Sequence, residues 1–241
     1  MAIAKFNRLY TILQTFLAFT YPRDFRLVFH SFRRRRHLKS PAGVWNIIEP
    51  IKGYLRPFEA GLLYWAATSW PVRGPVLELG AFQGRSTIVF ALGGRQVYAI
   101  DAWSLAVPDL SAYTSDHETA EDAYARFKEN ILNAGVANQV ITRRGLTRVI
   151  AAQWERPVAI LFVGAGHTYD EVSNDVAQWT RFLLPGGLLL MHDVLFDQFP
   201  GVTQCASELL MQGWRVVASA DSLVALARNK TSPCTENVQY P

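Results

Sequence analysis

The chain has 241 residues, half of them hydrophobic and 18% charged, with a formal net charge of +4. That is enough apolar material for one good α/β core with something added. Two cysteines, Cys205 and Cys234, exclude a disulfide framework and point to a reducing, cytoplasmic compartment.

The charge is unevenly placed. Residues 1–40 hold nine Lys and Arg against Asp24 alone, a net +8, so the rest of the chain carries −4. Phe6, Leu9, Tyr10, Leu13, Phe16 and Leu17 recur at helical spacing with Lys5, Arg8, Thr11 and Gln14 between them, which predicts an amphipathic helix. Tyr21-Pro22 breaks it. A second helix starts around Phe25, Val28, Phe29 and Phe32 and runs into Arg33-Arg34-Arg35-Arg36. Two readings of this basic arm stand: a helix lying in an anionic membrane interface, or an apolar face packed on the domain or on a second copy in a homodimer. The uncharged stretch from Leu9 to Tyr21 is too short to span a bilayer, and no small-residue signal cleavage site is evident. Aromatic residues do not interleave the arginines, which argues against nucleic acid.

Residues 41–72 read as a connector and a capping helix, punctuated by Pro41, Pro50, Gly53 and Pro57. Pro57 followed by Glu59 marks a helix start with its acid in the first turn. A helix-dipole role for Glu59 is the favoured reading, with a position facing the site as the other.

Residues 75–103 organise everything that follows. Val76 to Leu79 is a short apolar run carrying Glu78 and bounded by Pro75 and Gly80, the pattern of a buried strand. Gly80 and Gly84 bracket a tight turn, and Arg85-Ser86-Thr87 opens a helical stretch whose free N–H groups face the same point. A second strand, Gln96 to Ile100, ends in Asp101, followed by Ala102 and Trp103. A carboxylate some 20 residues beyond a glycine turn, at the tip of the next parallel strand, is placed to hold a ribose diol. Ala81-Phe82-Gln83 separate the two glycines, so the dinucleotide spacing is not met.

The words LELGAFQGRST and HTYDEVSNDVAQWTRFLLPGGLLLMHD resemble the class I S-adenosylmethionine-dependent methyltransferases. The subfamily they are similar to reads roughly E-I-G-S-x-x-G-R-S-T and D-G-D-H-S-Y, with P-G-G-x-x-x-x-H-D further on. The resemblance extends over residues 53 to 227. It implies an α/β fold, Rossmann-like and doubly wound, with a mostly parallel seven-stranded sheet over residues 73–230 and an N-terminal helical extension. It also implies S-adenosylmethionine as cofactor and O-methylation of a small molecule or a glycan.

Further along, Ser104 to Asp116 loses periodicity, and in the resembled family this loop covers substrate. Glu118 to Ala134 reads as a helix and Val140-Ile141-Thr142 as a third strand. Gly145-Leu146-Thr147 stands where the family lines the adenine. Pro157 to Val163 is a continuous apolar strand, with Gly164-Ala165-Gly166-His167 at its carboxyl end. Thr168 caps a helix from Tyr169 to Leu184, Pro185-Gly186-Gly187 reads as a turn, and Leu188 to Met191 is the fifth strand, delivering His192 and Asp193. A last helix, Phe199 to Gly213, and strands Trp214 to Ser219 and Leu223 to Ala227 complete the domain, before a loose tail at residues 231–241.

Glycines replace both aspartates of the D-G-D-H motif, at Gly164 and Gly166. In metal-dependent relatives the first is a magnesium ligand, and His192-Asp193 alone is a poor cage for a hard cation, so no divalent metal is expected. His167 and His192 have pKa values suited to a general base, with Asp193 orienting either; a purely structural role is the other reading of each. Glu78, Gly80, Ala81, Gly84, Arg85, Ser86, Thr87, Asp101, Ala102, Trp103, Gly145, Leu146 and Gly164 are the expected cofactor-binding residues, Glu78 meeting the methionine end through its ammonium or through a water. A catalytically degenerate cofactor-binding or scaffold protein is the alternative that the two glycines suggest.

Overall fold

A computed structural model describes residues 25–33, 38, 40–103 and 120–228. The predicted helix within residues 1–24, the arginines at 34–36, the loop at 104–119 and the tail from 229 lie outside these residues.

Helix α1 (Phe25–Arg33) begins where the sequence places a second helix, and a short α2 (Ala42–Ile48) precedes α3 (Pro57–Ser69). Strand β1 (Val76–Leu79) is followed by α4 (Arg85–Leu92), β2 (Val97–Asp101), α5 (Ala120–Asn133) and β3 (Val140–Arg144). Then come α6 (Thr147–Ala151), β4 (Val158–Val163), α7 (Tyr169–Trp179), β5 (Leu183–Met191), α8 (Pro200–Met211), β6 (Trp214–Ala220) and β7 (Leu223–Arg228). The seven strands form one sheet in the order β3-β2-β1-β4-β5-β7-β6. β1 to β5 are mutually parallel, and β7 pairs antiparallel with both β5 and β6.

Strands buried on both faces need apolar residues at every position, and their alternate side chains must feed two cores. Val76, Ile160 and Phe162 point into the core shared with α2 to α5, while Leu77, Leu79, Leu161 and Val163 point into the one shared with α1, α7 and α8. That is why Val158 to Val163 is apolar throughout.

Two arginines, Arg95 buried and Arg85 half-buried, tie irregular backbone to this frame. Arg95 donates to the carbonyls of Ala67, Trp70, Val72 and Gly74, closing the turn between α3 and β1. Arg85 donates to the carbonyls of Ile48, Glu49, Gly53 and Leu55, holding the connector after α2. A planar fork with five donors suits clusters of carbonyls that no helix or strand satisfies.

Two sequence expectations are corrected. The helix expected to reach Leu184 stops at Trp179 and gives way to a single 3₁₀ turn over Thr180–Phe182. Pro185-Gly186-Gly187 lies inside β5, where the pairing with β4 jumps from Val158↔Leu183 to Ile160↔Leu188. The prolyl residue and two glycines form an exposed bulge on a strand whose remainder is buried, a place where a missing N–H and a positive φ at Gly186 cost little.

Candidate active site

The parallel strands deliver their carboxyl ends to one rim. The chain turns outward in opposite directions after β1 and β4, which makes a crevice between them. Gly80 sits at its floor with φ +91°, and a Cβ there would lie 2.6 Å from the Gly164 carbonyl oxygen. Only glycine lets the two loops approach so closely. A cleft of about 850 Å³ opens above them, inside the range of small-molecule and cofactor sites.

Most of the sequence-predicted residues meet here. Gly80, Ala81, Ser86, Asp101, Ala102 and Trp103 line one side of the cleft, and Gly145 and Leu146 continue that side above β3. Gly164, His167, His192 and Asp193 line the other. Asp101 accepts the backbone N–H of Phe82 and of Trp103, each at 2.8 Å, so its carboxylate holds the glycine turn as well as facing the cleft. Burial raises its pKa, and the amides of Trp103, Phe82, Ala102 and Ala81 oppose that. Trp103 donates its indole N–H to the Phe82 carbonyl at 2.7 Å and packs on Tyr124 and Phe127, closing the wall beside Asp101.

Four of the expected residues also have structural roles. Glu78 is fully buried and does not line the cleft. Its carboxylate accepts the hydroxyls of Ser86 and of Thr87, the latter at 2.5 Å, and it touches the cleft only through Ser86. Burial pushes its pKa up to about 7, the two hydroxyls pull it down, and Asp101 adds to the rise. Thr87 is buried behind Ser86, and Gly84 supports the turn from behind, with its Cα against Phe127. Arg85 borders the cleft, but four backbone carbonyls take its guanidinium, so it shapes the rim.

Side chains that the sequence could not join form a continuous chain on the β5 side. Glu59, 0% exposed, accepts the N–H of Arg56 at 2.8 Å, closing a capping box, and the N–H and hydroxyl of Ser222 at 3.0 and 2.7 Å. The His192 ring bridges two carboxylates, with Nε2 3.2 Å from Glu59 and Nδ1 2.9 Å from Asp193. Asp193 in turn lies 3.3 Å from Nε2 of His167, whose ring stacks on Phe199 with centroids 4.0 Å apart. The order is carboxylate, imidazole, carboxylate, imidazole. Glu59 therefore caps α3 and reaches the cleft only through His192 and Ser222. Its only local signal was an acid inside an otherwise apolar helix; the pairing with Ser222 spans 163 residues and had none.

Burial by itself would push the His192 pKa down, but Glu59 and Asp193 outweigh it and bring it up to about 10. Burial raises Glu59 and Asp193, and their contacts with the histidines outweigh that and leave both lowered. His192 is thus an imidazolium with both N–H groups directed at carboxylates, a poor general base near neutrality. A histidine whose folded pKa exceeds the unfolded 6.5 stabilises the fold fully below 6.5, and that contribution is lost as pH rises toward about 10. The thermal midpoint is expected to fall between pH 7 and pH 10, and to fall less in His192→Asn, as circular dichroism melts at several pH values would show.

A second polar pair joins α6 to α7 across the cleft wall, where Thr147 donates to Asp175 at 2.5 Å. Burial raises Asp175 to about 6, opposed by Thr147 and reinforced by Glu171. Nothing local in the sequence marked Asp175.

The donor set does not suit a hard divalent cation. Gly164 offers no side chain, and an imidazolium committed to two carboxylates is no ligand. Among the described residues no group of three or more His, Cys, Asp and Glu is disposed to hold a metal. The two glycines of the motif are not equivalent. A Cβ at Gly164 meets nothing closer than 3.4 Å, whereas one at Gly166 would lie 2.5 Å from Cβ of Glu171, the partner of Thr168 in the α7 capping box. Gly166→Asp is expected to destabilise by ~1–3 kcal/mol and Gly164→Asp by much less, as urea unfolding would report; equal costs would refute this steric account.

Comparison with known proteins bears on the same rim. Residues 77–194 match a family model described as a methyltransferase domain. The matched stretch runs from within β1 to just past His192-Asp193, so it spans both walls of the cleft. The fold is similar to an O-methyltransferase of Bacillus cereus in complex with S-adenosylhomocysteine (TM-score 0.56, 17% identity, covering 79% of this chain and 92% of that one). It is similar also to the methyltransferase PaMTH1 of Podospora anserina bound to S-adenosylhomocysteine (TM-score 0.59, 14% identity, 85% and 94%). A third is the Streptomyces achromogenes O-methyltransferase TomG, involved in tomaymycin synthesis, in complex with S-adenosylmethionine (TM-score 0.55, 17% identity, 82% and 97%). At these identities the likeness establishes the fold, a Rossmann-like methyltransferase sheet.

Proposed function

We propose that the protein transfers the methyl group of S-adenosylmethionine to a hydroxyl oxygen of a small molecule or glycan, without a metal ion. The observation that carries this reading is the cleft at the β1/β4 crevice, with a nucleoside-type wall on one side and a histidine–carboxylate chain on the other. The first wall fits the cofactor: Gly80 leaves the space that a Cβ would fill, and Asp101 is a half-buried carboxylate on the cleft wall. Asp101 would hold the ribose hydroxyls, Gly145 and Leu146 would flank the adenine, and Gly80 to Ser86 would meet the methionine end. When bound, S-adenosylmethionine supplies a methyl group already activated by its sulfonium.

What remains for this chain is to orient the acceptor and take its proton. Asp193 holds Nε2–H of His167, which leaves the basic lone pair on Nδ1, and stacking on Phe199 fixes the ring plane. Glu59 and His192 fix Asp193. Their paired charges do without a cation the positioning that a metal centre does in other enzymes.

Methyl transfer from labelled S-adenosylmethionine to a panel of phenols, catechols and sugar alcohols tests the reading. The wild type is expected to transfer to at least one class, and His167→Ala to lower turnover ~10²–10⁴-fold with cofactor affinity unchanged. Transfer that survives in His167→Ala would remove its assigned role.

The basic arm we read as a peripheral contact with an anionic membrane surface. No helix among the described residues is long and apolar enough to cross a membrane. α1 uses one face for packing: Leu27 and Ser31 are buried against β6 and α8, while Arg26, Phe29 and Phe32 are exposed.

A further inference from the structure

Resting on the proposed methyl transfer, we infer that the acceptor is an anion and that Arg56 recognises its carboxylate or phosphate while its hydroxyl lies at His167. Two segments build the place. The connector from Lys52 to Arg56 and the loop that follows β5 both line the cleft. Arg85 donates to the carbonyls of Gly53 at 2.8 Å and Leu55 at 3.0 Å, and the Arg56 N–H donates to Glu59 at 2.8 Å. Pro57 then opens α3. The backbone on both sides of Arg56 is thus held before any ligand arrives, which lowers the ordering cost of a contact from its side chain.

The loop after β5 is held as firmly. Asp193 and Leu195 both have φ +60°, a left-handed value that residues other than glycine keep only where neighbours impose it. Here Val194 donates its N–H to the Ser222 carbonyl, and Leu195 donates its own to the Thr203 hydroxyl, each at 2.9 Å. The outcome is a row of rings. His167 stacks on Phe199 with centroids 4.0 Å apart, Phe196 follows at 5.5 Å, and the Arg56 guanidinium stands 5.9 Å from the Phe196 centroid. One end of the row presents an imidazole and the other a cation. An acceptor whose flat apolar part lies along Phe196 therefore meets His167 with a hydroxyl at one end and Arg56 with an anion at the other.

The charges around the cleft favour that direction. Arg56 is exposed, and among the described residues no carboxylate forms a salt bridge with it. Lys52 adds a second cation to the same stretch of wall. Asp193, the acid nearest the row, is engaged by both histidines, and Asp170, Glu171 and Asp175 belong to α7. A guanidinium matches a planar oxyanion with two parallel hydrogen bonds, so an anionic group gains at Arg56 what an uncharged one does not.

The test titrates the full chain, saturated with S-adenosylhomocysteine, by calorimetry with protocatechuate, catechol and dopamine. These carry the same ring diol with an anion, no charge and a cation. Protocatechuate is expected to bind ~10-fold more tightly than catechol, and dopamine most weakly, with the preference shrinking as salt is added. Arg56→Gln is expected to bring protocatechuate down to the level of catechol, and Arg56→Lys to restore part of the difference. The thermal midpoint and the affinity for S-adenosylhomocysteine, unchanged in both variants, report an intact domain. Protocatechuate binding no tighter than catechol, or an anion preference that survives in Arg56→Gln, overturns the inference. So does a loss of S-adenosylhomocysteine affinity in Arg56→Gln, which puts the guanidinium on the cofactor's carboxylate. A folded wild type that does not bind S-adenosylhomocysteine at all removes the proposed reaction itself.

Discussion

Glu59→Ala is expected to destabilise the protein by about 3–5 kcal/mol at pH 7, among the largest effects of any single substitution outside the cores. The carboxylate is 0% exposed, and the substitution removes acceptors from the Arg56 amide, from the Ser222 amide and hydroxyl, and from His192. His192 is left as a buried cation with one carboxylate, so its raised pKa of about 10 must fall. Denaturant unfolding measures the loss. The sign of the pH dependence is also set: the wild type's advantage over the variant is present near neutrality and shrinks as His192 is neutralised toward pH 10. A loss below ~1 kcal/mol, or one that does not shrink at alkaline pH, would show that Glu59 and His192 are not an ion pair. Glu59→Gln keeps the shape and the hydrogen-bonding capacity of one oxygen, and is expected to fall between the two.

Asp101→Ala is expected to weaken binding of S-adenosylhomocysteine roughly 10- to 100-fold by calorimetric titration, the cost of losing hydrogen bonds to a charged group. The structure argues for the upper end, because the same carboxylate holds Phe82 and Trp103 by their amides. Removing it loosens the glycine turn as well as the proposed ribose contact. Asp101→Asn retains one carbonyl oxygen and turns an NH₂ toward the other amide, so it too is expected to weaken binding. Affinity unchanged in both variants would mean that the cleft holds some other ligand. A folded wild-type protein that binds neither S-adenosylmethionine nor S-adenosylhomocysteine would make the motif a relic and remove the proposed reaction.

The glycine turn was legible because its physics is local. Val76 to Leu79, Gly80, Gly84 and Asp101 lie within one strand–turn–helix–strand unit, where spacing alone places them around one point. The structural roles of Arg85 and Glu78 were not legible, for the opposite reason. Both have the right sequence position, but their partners decide their role: the carbonyls of Ile48 to Leu55 for one, and the hydroxyls of Ser86 and Thr87 for the other. The bulge at Pro185-Gly186-Gly187 was misread because a turn and a bulge need the same residues, and only pairing with β4 tells them apart.

By itself, the sequence determined the α/β class, the order of the strands in the chain, the glycine turn and the net positive charge of the first 40 residues, all of which follow from periodicity, glycine spacing and charge over short stretches. Only the tertiary structure decided that His192 lies between the carboxylates of Glu59 and Asp193, and that Glu59 joins it to Ser222. Each of these depends on groups brought together from distant parts of the chain, where burial and paired charge, not residue identity, set the protonation state.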